Sequence, residues 1–443
     1  MSTAAVTTPE PEWAALVGLD WGNQKHAWIL QFAGSESREQ GVVDNTPEAV
    51  ATWAAELDRR FAGRPVAVAL EQKRGSVVNL LLCHPHLVVF PVPASMSASY
   101  RKTFVPSGAK DDPSDAGWIL DLLERHRDRL HRLEPDDANT RLLESLVEYR
   151  RQLVHDKSRL ELRLQDCLKQ YFPQLLQWFN VDSPLVADLL KRWPDLQHLQ
   201  HCHDGTLRAF FRQHRYRGGK EAIQQRIDAI RAAVPATNDL AVLEGNMRRA
   251  LDLSERMADL RQRIGALEKR RDELVAEHPD SAIFASFPGA GAATVPRLIV
   301  AFGTRRERYQ SAFQVECQSG IAPVHIRSGK MDQVSMRHAC QSFTRQTFHE
   351  LAGQSIRHCE WAREYYHAHC KTPAQHHAAL RALAFKWIRI LFCCWKNRKP
   401  YDEQLYLTSL RRRKGLLGPA LAGATNIGWQ TTAGFSKLSK KNA

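Results

Sequence analysis

No paired CxxC spacing occurs among the nine cysteines of this 443-residue chain, and two of them, Cys393 and Cys394, are adjacent. That pattern excludes a disulfide framework and points to a reducing compartment. The opening "MSTAAVTTPEPEW" lacks a basic region followed by an apolar stretch, so no secretory signal is expected. Long apolar runs are also missing. The most apolar helical stretch, "LRALAFKWIRILFCCW", is short and interrupted by Lys386 and Arg389, which reads as a buried helix and not a membrane span. A cytoplasmic, nucleoid-associated protein with no membrane partner is therefore expected. Acidic residues are scarce too: 48 Asp and Glu face 62 Lys and Arg, a formal charge of +14. The excess is spread along the chain and suits a polyanionic partner, most simply DNA or RNA.

What is present divides the chain. Residues 1–12 read as a loose tail. From 13 to 135 the pattern is mixed α/β. "AALVGLD", "HAWILQF" and "REQGVV" read as successive strands. A helix "TPEAVATWAAELDRRF" capped by Thr46 follows, then a strand "PVAVALE" ending at Glu71, a helical "SVVNLLLCH" and a strand "LVVFPV". After a basic loop, "DDPSDAGWILDLLERHRDRL" is helical with acids in its first turn. Residues 136–280 hold two heptad-like arms, with Leu146, Tyr149, Leu153, Leu160, Leu164 and Cys167 in one and Leu253, Met257, Leu260, Ile264, Leu267 and Leu274 in the other. An antiparallel coiled coil with an elaborated tip, serving as scaffold or dimerisation arm, is expected there. Residues 281–403 form a mainly helical domain with a loop-rich "QVECQSGIAPVHIRSGK", and 404–443 a basic flexible tail.

Four carboxylates carry the chemistry. Asp20 closes the first strand, Glu71 the fourth, and Asp112 and Asp115 stand three apart at a helix start, on one face. Four converging acids repel unless cations hold them, and Mg²⁺, with Mn²⁺ as a substitute, would do so and permit in-line attack at phosphorus. Asp111 competes with Asp112 if the helix begins one residue away. Lys73, Arg74 and Lys110 flank the set and could grip nucleic acid. The bland reading keeps Asp112 and Asp115 as helix caps and Glu71 as the start of a loop. Histidine clusters "CHPH", "HCH" and "HAHC" offer a rival zinc site, although none has a convincing second half. "PGAG" at 288–291 resembles a helix-hairpin-helix turn whose backbone N–H groups, at Gly289 and Gly291, could hold a phosphate, or else a plain tight turn with a packing glycine.

"GLDWGNQKHAW", "ALEQKRG" and "AKDDPSDA" look like the three acidic blocks of the insertion-sequence DEDD transposases with a RuvC-like, ribonuclease H-like domain. "FPGAGAATVPRLIVAFG" and "FQVECQSGIAPVHIRSGK" resemble that family's serine-containing C-terminal transposase domain, with Ser328 at the position of its recombinase-type serine. The resemblance extends to members of that family that are bridge-RNA-guided recombinases. The resemblance implies a recombinase that pairs donor and target DNA through a noncoding bridge RNA. Ser328 would attack a DNA phosphate to give a phosphoserine linkage, while metal held by Asp20, Glu71, Asp112 and Asp115 polarises that phosphate. It further implies dimers assembling to a tetramer in which different subunits complete each active site. Arg327, Lys330 and Arg337 would contact nucleic acid. Ser328 could instead sit in a turn that merely binds phosphate, and Ser319 and Ser335 are alternative nucleophiles. The rival functions are a RuvC-type metal-dependent endonuclease and a non-catalytic nucleic-acid-binding scaffold.

Overall fold

The computed structural model describes residues 13–104, 112–329 and 331–416, which fall into two compact units divided between Pro135 and Asp136. The first unit is built on strands β1 (Ala15–Asp20), β2 (Lys25–Phe32), β3 (Arg38–Asp44), β4 (Val66–Leu70) and β5 (Leu87–Pro91). Its helices are α1 (Pro47–Phe61), α2 (Ser76–Leu81), α3 (Ala94–Phe104) and α4 (Asp112–His126). The strands form one sheet in the order β3-β2-β1-β4-β5, with β2 antiparallel to both its neighbours and β4 and β5 parallel to β1.

Strand alternation sorts the sheet into two buried faces. Ala15, Val17, Leu19, Val66, Val68 and Leu70 pack against Val50, Trp53, Leu57 and Phe61 of α1. Leu16, Ala67, Ala69 and Phe90 pack against Ile119, Leu120 and Leu123 of α4. β4 is buried on both faces, as a central parallel strand must be. β3 is the polar edge. Thr46 caps α1 by accepting from the Ala49 N–H at 3.2 Å, as its sequence predicts. The first part of the stretch expected to be a basic loop after β5 is helical, while 105–110 lie outside the described residues: α3 folds there because Tyr100 and Phe104 find a partner in Trp118 of α4, with Phe104 stacked on it at 5.5 Å.

The second unit is mostly helical. α5 (Ala138–Tyr171) and α11 (Leu240–Glu277) are long and run antiparallel, joined side by side by Arg150–Glu268 near one end and Cys167–Asn246 near the other. Between them lie α6 (Gln174–Trp178), α7 (Pro184–Arg192), α8 (Leu196–His201), α9 (Asp204–Gln213) and α10 (Gly219–Ala232), packed on one aromatic-rich core. α12 (Ser281–Ala285), α13 (Val295–Phe302) and α14 (Ala312–Gln318) follow, then the hairpin β6 (Val324–Ser328) and β7 (Met331–Ser335). α15 (Ser342–His358), α16 (Glu360–His369), α17 (His376–Asn397) and α18 (Glu403–Leu416) complete the described chain.

Three expectations need correction here. The α5 stripe runs through Leu143 and Val147, not Tyr149, which is 45% exposed, because its first turns pack into the core of α13 and α15. The segment read as loop-rich contains α14 and the hairpin. The tail expected to be flexible from 404 begins inside α18, while 417–443 lies outside the described residues. Among the described residues no helix is long and apolar enough to cross a membrane.

Candidate active site

Asp20 ends β1 on the face that carries Leu16 and Gly18, the face covered by α4. β4 pairs with β1 in parallel, Gly18 opposite Ala69, and stops at Leu70, so Glu71 is the first residue beyond the strand and not part of it. Asp20 and Glu71 each lie two residues past the Gly18–Ala69 pair, at the ends of neighbouring strands spaced about 4.8 Å apart. Glu71 is exposed and Asp20 half-buried. Lys73 and Arg74 are exposed in the loop that follows, before Gly75 turns the chain at φ 128° into α2.

Gly18 brings α4 to this edge. A Cβ at that position would stand 2.1 Å from the Ala116 carbonyl oxygen and 2.6 Å from the Leu120 nitrogen. The helix backbone therefore lies directly on β1, two residues before Asp20. Asp115, next to Ala116, is only 8% exposed, and its Oδ1 accepts from Arg101 Nη1 of α3 at 2.7 Å. Asp112 is the first residue of α4; its side chain lies outside the described residues, as do Asp111 and Lys110 altogether. Among the described residues no group of three or more His, Cys, Asp or Glu is arranged to hold a metal ion. The structure thus sets the strand ends bearing Asp20 and Glu71 side by side and packs α4 on their face, but turns Asp115 to Arg101. In donor chemistry the set fits a hard divalent cation: every candidate ligand is a carboxylate.

The rival zinc ligands have local employment. His86 is buried with Nε2 3.0 Å from the Ala54 carbonyl, and Cys83 donates to the Asn79 carbonyl. His203 caps α9 by accepting from the Gly205 N–H, while His369 lies 2.8 Å from the Tyr365 carbonyl. These are fold-building contacts within single elements or their neighbours.

In the second unit, Ser328 is exposed at the tip of the β6–β7 hairpin, paired across it with Met331. Gly329 has φ 55°, the left-handed conformation that a two-residue hairpin connection favours, and Lys330 lies outside the described residues. Arg327 crosses the hairpin to Asp332 at 3.2 Å, both exposed. Ser319 is buried and donates to the Val315 carbonyl at 2.7 Å, and Ser335 pairs with Val324 at the opposite end of the hairpin. Of the three serines, Ser328 has the tip. Arg337, two residues past β7, is half-buried, its Nε has no hydrogen-bond partner among the described residues, and its carbonyl accepts from Arg345.

Gly289 has φ 84° and lies against α15, where a Cβ would come within 2.8 Å of the Gln354 backbone. Gly291 faces open space. The turn borders a cavity of about 620 Å³ together with Glu350, Gln354 and His358. Its N–H groups are partly used within the turn: Gly291 donates to Gly289, and Thr294 and Val295 both donate to Gly291.

Two stretches of the chain match models of known transposase families. Residues 17–173, spanning Asp20, Glu71, Asp112 and Asp115, match a transposase family model of the DEDD type from IS110. Residues 281–367, spanning Gly289, Ser328 and Arg337, match the model described as "Transposase IS116/IS110/IS902 family". The chain carries IS110/IS116-family transposase domains. It is similar to the "Mini-circle putative transposase for IS117" of Streptomyces coelicolor, 24% identical over 87% of this chain and 95% of that one. It also resembles the "Insertion element IS116 uncharacterized 44.8 kDa protein" of Streptomyces clavuligerus, 24% identical over 86% of this chain and 95% of the relative. The "Insertion element IS110 uncharacterized 43.6 kDa protein" of S. coelicolor is 25% identical over 68% and 74%.

Sequence reasoning missed two residues that shape the edge where the candidate carboxylates lie. Gly18 stands inside the apolar run "AALVGLD", and a small residue in a strand is the signal of close backbone approach. Arg101 sits in a segment read as loop, and only the helix α3 reveals that it aims at Asp115.

Proposed function

We propose that this chain is the transposase of an insertion sequence, a DNA recombinase guided by a noncoding bridge RNA that pairs with donor and target DNA. The observation that carries the reading is the order of the two transposase matches, the first over the four acids and the second over the serine hairpin. The strand order β3-β2-β1-β4-β5 supports a ribonuclease H-like, RuvC-like first domain, with acids where two parallel strands end. The paired α5 and α11 support a coiled-coil arm.

In this reading Asp20, Glu71, Asp112 and Asp115 would hold Mg²⁺, or Mn²⁺ in its place. When bound, the cation would neutralise charge on a DNA phosphate and lower the barrier to attack. The Ser328 hydroxyl gives up its proton and forms an O–P bond; the phosphodiester bond to one deoxyribose oxygen breaks, leaving a phosphoserine and a free DNA hydroxyl. Attack by a hydroxyl of the other DNA reverses the chemistry and restores Ser328, so no high-energy cofactor is consumed. The exposed hairpin tip suits that role, since the nucleophile must reach a strand that the protein does not enclose. Lys73, Arg74, Lys110, Arg327, Lys330 and Arg337 contact phosphates, with Gly289 and Gly291 at a further backbone contact. Working assemblies are dimers that join as tetramers.

Recombination of supercoiled donor and target plasmids in the presence of the bridge RNA tests this. Loss of product in both Asp20→Ala and Ser328→Ala is expected. Cleavage that survives Ser328→Ala would instead assign a hydrolytic RuvC-type endonuclease, a reading favoured by the carboxylates standing in a unit of their own. Indifference to both changes would leave a nucleic-acid-binding scaffold.

A further inference from the structure

Among the described residues, an arginine is one charge that Asp115 meets. Arg101 Nη1 donates to Asp115 Oδ1 at 2.7 Å, with the two side chains 22% and 11% exposed. α3 has other contacts besides that bond, with Tyr100 and Phe104 against Trp118 and Tyr100 against His126. The aromatic side of α3 thus holds the helix against α4 beside the Arg101–Asp115 pair. A carboxylate this buried needs a compensating cation. A divalent ion on Asp115 would make Arg101 redundant there, and two cations on one carboxylate repel each other.

We infer that Arg101 is a further residue of the carboxylate site, a place-holder that neutralises Asp115 until a divalent cation displaces it, and that its guanidinium then binds a nucleic-acid phosphate. The inference rests on the proposed metal role of the acids and adds a residue and a regulation to it. Cation entry and phosphate binding are then coupled: each removes the competitor of the other. Free protein holds cation weakly, and nucleic acid that captures Arg101 raises that affinity.

The test is Mn²⁺ binding to the full chain, read from the electron paramagnetic resonance signal of free Mn²⁺, without and with duplex DNA. Without DNA, Arg101→Ala and Arg101→Gln are expected to bind Mn²⁺ about tenfold tighter than the unaltered protein. Adding DNA should tighten Mn²⁺ binding for the unaltered protein and much less for either variant. DNA affinity should fall in the variants, with a salt slope shallower by about one. Lys102→Ala, which removes an exposed charge from the same helix, should change Mn²⁺ affinity less than about twofold; an equal gain there would reduce the effect to general charge and overturn the inference. Unchanged or weaker Mn²⁺ binding in both Arg101 variants, folded by circular dichroism, would also overturn it while leaving the metal reading intact. No Mn²⁺ binding by any form, with or without DNA, would sink the metal reading and this inference together.

Discussion

Gly18→Ala is the smallest change that should dismantle the carboxylate edge. The added methyl carbon would meet the Ala116 oxygen at 2.1 Å, the Leu120 nitrogen at 2.6 Å and the Leu120 Cβ at 2.8 Å. Two of these are helix backbone, so no rotamer relieves the clash. α4 must retreat by about 1 Å, loosening the layer in which Ile119, Leu120 and Leu123 meet Leu16, Ala67 and Ala69. Overpacking of this kind costs about 1–3 kcal/mol, and the backbone clash argues for the upper end. Replacing glycine within a strand returns about 0.5–1 kcal/mol through lower unfolded-state entropy. The net is about 2 kcal/mol, a loss of roughly thirtyfold in the protection of β1 and α4 amides against hydrogen exchange. A displacement of that size between Asp115 and Asp20 should also lower strand-joining by about a hundredfold. Mass-spectrometric exchange on peptides covering 15–32 and 112–126 gives the first number and plasmid recombination the second. Equal or higher protection with full activity would refute the claim that close helix–strand contact builds the site.

Other outcomes follow from single contacts in the second unit. Arg306 grips both oxygens of Asp280, Nη1 to Oδ2 at 2.9 Å, with the two side chains 12% and 4% exposed. Arg306→Ala strands a buried carboxylate and should cost about 3 kcal/mol in urea unfolding. Burial, aided by Arg381 and by His377 and His376, pushes the His349 imidazole down to about 4. The unfolded chain takes up that proton near pH 6.5 and the folded one resists, so this stability is full above pH 6.5 and is lost as pH falls towards 4. His349→Gln should flatten that stretch of a stability–pH curve, and an unchanged slope would contradict the assignment. Ser319→Ala removes a hydroxyl bonded to the Val315 carbonyl and should leave recombination near the unaltered rate, in contrast to Ser328→Ala.

The legible part of the fold is the part with strong periodicity. "AALVGLD", "HAWILQF" and "PVAVALE" alternate or run apolar as half- and fully buried strands do, and the structure has strands there, with β4 ending one residue sooner than expected. The same pattern places Asp20 and Glu71 at strand ends. Whether they are neighbours depends on β1 pairing with β4, a non-local choice that no local signal encodes. The segment 94–104, "ASMSASYRKTF", reads as loop because its small and polar residues form no apolar stripe, and Ser97 alone is buried; α3 owes its form to tertiary contact with Trp118. The hairpin holding Ser328 is hidden for the related reason that β6 is almost wholly exposed and carries no buried alternation. Histidine clusters mislead in the opposite direction, since caps and backbone contacts, invisible in sequence, account for them.

The central claim is that the hairpin serine becomes joined to DNA, and one measurement addresses it directly. Protein incubated with its element's junction DNA, bridge RNA and Mg²⁺ is denatured, digested with protease and nuclease, and the peptides are sequenced by mass spectrometry. A nucleotide-bearing phosphate on Ser328, absent from Ser328→Ala and from Asp20→Ala, is the predicted result. Recombined DNA with no covalent peptide, or an adduct on another residue that persists in Ser328→Ala, would contradict it.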